Sequence, residues 1–248
     1  LLFPCGSTGS EIQHIMHGLN HIASKYGVTL CGGHTEVTDA VTRPVVVGSL
    51  AGTVRKDLLI DKKSMKTGDC LLITKSVAVE GTAIIAREME SKLLSLGFSD
   101  AEVCSCKQFL DHISIMEEAR IARDIGGVTA MHDVTEGGLA TAVTELSIAG
   151  KHRIRIDMNC IPIFPQTQKI CDALNISPLG LIGSGSLLIC CSPDTKNDIL
   201  TGIRKAGIQA ACIGEVLEKG EGVVAMHGRK QTAWPTFNVD ELARLFNK

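Results

Sequence analysis

Residues 132 to 138 read His132-Asp-Val-Thr-Glu-Gly-Gly138, and the residues on either side of this stretch set the reading of the whole chain. Ahead of it, the apolar run 128–131 predicts a strand. Behind it, Leu139 opens an Ala/Leu-rich run that predicts an amphipathic helix over 137–149. A strand ending in a carboxylate, followed by a helix starting on two glycines, brings the positive end of the helix dipole to the acid. Mg2+ takes one or two carboxylates and fills its other positions with phosphate oxygens and water. Asp133 is therefore the leading candidate metal ligand, and a branched side chain at Gly138 is expected to fill space an anion needs. The competing reading is that Asp133 or Thr135 only caps the helix.

About a hundred residues upstream stands a second turn of the same kind, Cys31-Gly-Gly-His-Thr-Glu36. Gly32 and Gly33 leave two backbone amides open to an anion, and Thr35 and Glu36 offer oxygens to a hard cation. A plain connecting turn would read the same way. Two further glycine turns, Lys75-Ser-Val-Ala-Val-Glu-Gly-Thr82 and Leu181-Ile-Gly-Ser-Gly-Ser186, are equally compatible with backbone contact to a ligand and with tight connectors.

Outward from these turns, helices and strands alternate. Ser10-Glu-Ile-Gln13 reads as a capping box opening a helix that Gly27 stops. Strands are expected at 28–31 and 45–54, the second carrying two glycines. A charged stretch then leads to a buried strand at 70–74. Helices are expected over 81–96 and 107–125. The pattern continues with strands at 154–157, 186–191, 208–216 and 222–226, helices at 166–174 and 194–206, and a last helix from Asn238. Mixed elements with a change of register near residue 60 predict an α+β chain of two units, 1–60 and 61–248.

Composition removes several function classes. The 248 residues carry 25 basic and 27 acidic side chains, interspersed, with one Trp and one Tyr, so neither a basic stripe nor a stacking platform for nucleic acid is present. No apolar stretch approaches the ~20 residues of a membrane helix, which predicts a soluble, cytoplasmic protein. The ten cysteines are scattered and include Cys104-x-Cys106 and Cys190-Cys191, a pattern of reduced thiols used as small apolar residues. P-loop, dinucleotide and nucleophile-elbow motifs are missing. His14, His17 and His21 share one helical face opposite the apolar one, as solvated residues do.

Taken in order, the Gly-Gly-His-Thr turn, Pro44-Val-Val-Val47, Thr67-Gly-Asp69, Glu80-Gly-Thr-Ala-Ile-Ile-Ala86, His132-Asp-Val-Thr-Glu-Gly-Gly-Leu139 and Gly183-Ser-Gly-Ser-Leu-Leu188 resemble the AIR synthase (PurM-like) superfamily, and within it the HypE-like, AIR-synthase-related proteins. The resemblance implies a two-domain α+β architecture: a partial N-terminal domain for ATP binding and dimerisation, then a layered α/β C-terminal domain. It implies ATP and Mg2+ as cofactors, and phosphoryl transfer that activates an amide or acid oxygen of a small-molecule or protein-borne acyl substrate. It further implies a homodimer. By match of motifs it assigns catalytic roles to Asp133 and His34, the metal to Asp133, and cofactor contacts to Gly32, Gly33, Thr35, Glu36, Gly137 and Gly138. Three departures accompany it. A glycine-rich acidic segment expected ahead of Leu1 is missing, the last residues 242–248 carry no cysteine, and His34 and Glu136 stand where HypE proteins commonly have Asp and a basic residue. A non-catalytic nucleotide-binding or scaffold protein that keeps the fold is the second reading.

Overall fold

The computed structural model describes residues 1–247. The chain divides into two compact units, Leu1–Asp57 and Leu58–Lys248, three residues ahead of the boundary read from the sequence.

In the first unit, β1 (Leu2–Pro4) lies parallel to β2 (Glu36–Thr38), and helix α1 (Gly9–Lys25) runs between them. The helix starts earlier than expected. Thr8, not Ser10, is its cap: Glu11 N donates to the Thr8 hydroxyl, and Thr8 N donates to Glu11 Oε2 at 2.7 Å. Its apolar stripe is only half-buried, and His14, His17 and His21 are exposed as expected.

The strands expected at 28–31 and 45–54 do not form. Val45 makes a single antiparallel bridge to Leu2, and beyond it Val47 and Leu50 are each 81% exposed. The physical reason is pairing: a strand exists through the hydrogen bonds of a neighbour. Among the described residues no strand ladder forms along either stretch beyond the Val45 bridge.

The second unit is built on a seven-stranded sheet. Its elements, in chain order, begin with β3 (Cys70–Thr74), α2 (Val79–Glu88), α3 (Glu90–Ser95), α4 (Asp100–Lys107), α5 (Met116–Ile125), β4 (Val128–Asp133) and α6 (Gly138–Gly150). There follow β5 (His152–Asp157), α7 (Pro165–Leu174), β6 (Leu187–Cys191), α8 (Lys196–Lys205), β7 (Ala210–Lys219), β8 (Val223–His227), β9 (Lys230–Thr232) and α9 (Glu241–Phe246). The strand order is β4-β6-β3-β7-β5-β8-β9, antiparallel except where β5 meets β8.

Alternation along the strands sorts the core onto two faces. Leu71, Ile73, Leu188, Cys190, Ile154 and Ile156 pack with Leu139, Val143 and Leu146 of α6. Leu72, Leu187, Ile189 and Cys191 pack on the opposite face with Ala122 of α5 and Ile199 and Ile203 of α8. All five residues of β6 are buried, so it reads as an apolar run rather than an alternating one. A third cluster joins α2, α3, α4 and α7 through Ile85, Leu93, Val103 and Ile170.

Two expected helices are broken. The one over 81–96 bends at Met89 (φ −119°), and both Met89 and Leu93 then face the third cluster. The one over 107–125 is interrupted between residues 112 and 116, which exposes the Ser114 carbonyl to Lys75. The helix before this break, α4, begins at a capping box, with Ser99 and Glu102 bonded reciprocally. Glu102 is held down to about 2 by its hydrogen bonds from Lys169 and Ser99.

All ten cysteines are free thiols. Burial is the first cause that raises Cys106 to about 11 and Cys171 and Cys191 to about 12, so these side chains stay protonated and apolar. Cys104, two residues from Cys106, is exposed. Native-state alkylation with iodoacetamide, read by peptide mass spectrometry, is expected to modify Cys104 and to spare Cys106, Cys171 and Cys191 until denaturant is added. Equal labelling of Cys104 and Cys106 in the folded chain would contradict this packing.

Candidate active site

The His132–Gly138 segment leaves the sheet at the end of its edge strand β4. Val134 is fully buried and its amide donates to Ser186 O at 3.0 Å, pinning the turn to the start of β6. Thr135 contributes its carbonyl, which accepts from Gly138 N at 3.1 Å and from Gly183 N at 3.3 Å. Asp133 projects from the strand end with its side chain 58% exposed.

Asp133 and Thr135 do not cap α6. The cap position is Gly137, in the left-handed region (φ 75°), and no side chain bonds there from the preceding turn. Capping comes instead from far along the chain: Gly137 N donates to Asp240 Oδ2 at 2.7 Å, and Asp240 Oδ1 accepts from Leu242 N at 2.8 Å at the start of α9. This partner has no local signal in the sequence, since it lies 103 residues away.

Gly138 is glycine for a reason of packing. With φ 63°, a Cβ placed on it would lie 2.5 Å from Leu179 O and 2.7 Å from Leu181 O. The room expected beside it for an anion is filled by these two carbonyls. Gly81 is packed in the same manner against Leu181 and the Ile182 carbonyl, and its amide donates to Ile182 O at 3.0 Å. The turns at 75–82 and 181–186 are thus interlocked connectors, stitched further by a hydrogen bond from the Ser186 hydroxyl to Ser76 O.

At the start of that connector, Lys75 (φ 56°) and Ala78 (φ 57°) both hold left-handed backbone, uncommon for residues with a side chain. Lys75 Nζ donates to Glu118 Oε1 at 2.5 Å and to the Ser114 and Gly185 carbonyls at 2.9 Å each. Glu118 is fully buried and also accepts from the Thr74 hydroxyl at 3.1 Å. Three acceptors use all three N–H bonds of this ammonium, so it is structural.

Around Asp133 the electrostatics are set by His132. Its side chain is only 12% exposed, with Nε2 at 3.1 Å from Glu145 Oε2 and Nδ1 at 3.5 Å from Asp133 Oδ1. Among the described residues no group of three or more His, Cys, Asp or Glu side chains is placed to hold a metal alone. A single exposed carboxylate at a strand end, with an unpartnered buried His132 Nδ1 beside it, suits a hydrated Mg2+ that takes its other ligands from phosphate and water.

In the first unit, Gly32, Gly33, His34 and Thr35 line a groove of about 450 Å3 with Leu1, Met16, Leu19, Leu30, Val46 and Val47. The Leu1 ammonium donates to His34 O at 2.8 Å, while the His34 ring is 81% exposed and 3.6 Å from Glu36. A Cβ on Gly32 or Gly33 would meet nothing within 4 Å, so neither glycine is demanded by packing inside this unit.

The family model described as AIR synthase related protein, C-terminal domain, matches residues 66–227. The chain belongs to that family. The AIR-synthase-related domain so defined begins just ahead of β3 and ends with β8, and it contains Asp133, Gly137 and Gly138. The chain is 28% identical over 221 residues to carbamoyl dehydratase HypE of Cupriavidus necator, covering 88% of this chain and 60% of that protein. It therefore spans less than two thirds of that relative's length. Among solved structures, Escherichia coli HypE superposes with a TM-score of 0.79 at 20% identity, covering 98% of this chain and 74% of that one. A hydrogenase maturation protein HypE in complex with ATP superposes with a TM-score of 0.74 at 18% identity, covering 97% and 72%. The α+β, PurM-like fold expected from the motifs is the fold observed. No helix among the described residues is long and apolar enough to cross a membrane.

Proposed function

We propose that this chain forms part of an ATP- and Mg2+-dependent enzyme of the HypE-like group, which activates an amide or acid oxygen by phosphoryl transfer. The observation that carries the reading is Asp133, an exposed, uncapping carboxylate at the end of β4, inside the domain that defines the family. A carboxylate kept clear of the helix start is free to take a metal, and phosphoryl transfer asks the protein mainly for positioning and charge neutralisation. The carbamoyl dehydratase HypE relative and the HypE structure with ATP support the same chemistry. In this reading Asp133 holds Mg2+. Ten cysteines kept as thiols suit cytoplasmic work.

Partners belong to the same proposal. Val46, Val47, Leu50 and Val54 are 48%, 81%, 81% and 58% exposed in a stretch rich in strand-forming residues, which supports pairing with a second copy in a homodimer. A solved HypE-HypF complex supports a protein as a partner.

One observation favours the non-catalytic reading. The Gly137 amide is already taken by Asp240 and the Gly138 amide by Thr135, so these two donors are spent inside the fold. Calorimetric titration of the chain with ATP in Mg2+, followed by an assay for ATP turnover, separates the enzyme from a non-catalytic binder and from a scaffold that binds no nucleotide. Saturable heat that disappears when Mg2+ is replaced by EDTA is expected. Absence of heat in both conditions would leave the scaffold reading.

A further inference from the structure

Two grooves of the second unit meet at the turn Gly207-Ile208-Gln209, which leads into β7, and at Lys75, just past the end of β3. One, of about 340 Å3, has Val79, Phe109, Phe164 and Ile208 in its walls. The other, of about 410 Å3, has Arg204 at its side, in the last turn of α8. The walls are tied together. Lys75 N donates to Gln209 O at 2.7 Å, Val77 N to Pro162 O at 3.1 Å, and Phe164 N to the Ser76 hydroxyl at 2.9 Å. A Cβ on Gly207 would meet nothing within 4 Å, so the ground where the grooves meet is open.

What this space accepts follows from its lining. Phe109 and Phe164 are half-buried and stand edge to face, with ring centroids 5.1 Å apart and planes at 60°. Each ring keeps at least one face clear of the other, where a third ring can join. Among the described residues no carboxylate lines either groove. Of the cations there, Lys75 is matched by buried Glu118, and its N–H bonds are used. Arg204 instead meets an uncharged acceptor: its Nε and Nη2 donate to the Ala210 carbonyl at 3.2 Å and 2.6 Å, and three of its five N–H bonds remain. A guanidinium already oriented by a backbone carbonyl loses little freedom when an anion docks. One spare guanidinium balances one negative charge, which suits a carboxylate better than a phosphate dianion. We propose that the joined grooves bind a small aromatic carboxylate, its ring on the Phe109 and Phe164 pair and its carboxylate on Arg204. The site uses neither Asp133 nor a metal, so it stands or falls independently of the phosphoryl-transfer reading.

Ligand-observed 19F NMR with para-fluorophenylbutanoate tests it on the 248-residue chain, without nucleotide or Mg2+. Saturable binding at about 1 mM or tighter is expected. The neutral amide of the same acid is expected to bind about 10-fold more weakly, the scale of one hydrogen-bonded contact to a charged group. Butanoate, which lacks the ring, is expected not to displace the probe at equal concentration. Arg204→Gln is expected to weaken the acid about 10-fold and to leave the amide unchanged. Phe164→Leu is expected to weaken both by about 3–10-fold. No saturation of the wild-type chain by about 10 mM, equal affinity of acid and amide, or wild-type affinity in either folded variant overturns the proposal. Arg204 is exposed, so its variant keeps the fold, and the comparison of acid with amide needs no variant at all.

Discussion

Asp133→Asn is expected to lower Mg2+-dependent ATP turnover by about 10²–10³-fold, the scale of losing one group that stabilises developing charge. The substitution keeps the shape of the side chain and one oxygen, so the loss isolates the negative charge. Stability is expected to stay within about 0.5 kcal/mol of wild type, because the side chain is 58% exposed and does not cap α6. This pairing of a large kinetic effect with an unchanged melting curve is what distinguishes a metal ligand from a helix cap. A cap would show the opposite, with stability falling by about 1 kcal/mol and turnover retained. Single-turnover ATP hydrolysis over a range of Mg2+ concentrations, alongside thermal denaturation, measures both. Turnover equal to wild type at every Mg2+ concentration would remove Asp133 from the site.

Much of the second unit could be read from letters because its signals are local. Continuous apolar runs at 70–74 and 187–191 are buried on both faces, and the runs ended by Gly126 or Gly207 stop where the backbone must turn. Helix α4 carries a local start signal, Ser99-x-x-Glu102, yet it lies in the gap between the helices expected over 81–96 and 107–125. The same motif, Thr8-x-x-Glu11, opens α1 two residues ahead of Ser10-x-x-Gln13. What sequence pattern could not supply was anything fixed by a distant partner. Val45 to Val54 has the composition of a strand, yet only Val45 finds a neighbour in the described residues. The interruption after residue 112 serves Lys75, some 40 residues upstream. At the candidate site, the strand-acid-turn-glycine order placed Asp133 at a strand end beside the start of a helix, as expected from charge and dipole alone. The Asp240 carboxylate on Gly137, the carbonyls packed on Gly138 and the Glu145 contact of His132 are tertiary facts without a motif.

Gly138 is where this difference has the largest consequence for the fold. Read from sequence, a valine there removes an anion's space and the chain folds normally without binding nucleotide. Read from structure, the same valine is expected to destabilise the second unit by more than about 5 kcal/mol, enough to unfold a domain of ordinary stability. The left-handed backbone at φ 63° costs a side chain about 1–2 kcal/mol by itself, and a β-branched one more. The larger part is steric. A Cβ at 2.5 Å and 2.7 Å from two backbone oxygens forces the 179–181 segment away, and that segment has little freedom to move. On one side the Phe237 ring lies where a Cβ on Gly180 would be, and on the other Leu181 is fully buried against Gly81 of α2. Displacement would therefore open the α6 core and the α2–α7 cluster together. Gly138→Ala carries the same Cβ and is expected to lose most of the same stability, while Gly32→Ala, with nothing within 4 Å and no positive φ, is expected to stay within about 0.5 kcal/mol of wild type. Urea denaturation followed by Trp234 fluorescence compares the three, since the indole donates to Ala140 O in the first turn of α6. A Gly138→Ala variant as stable as wild type would mean that the 179–181 carbonyls do not close on this turn, and would return the space beside Gly138 to a ligand.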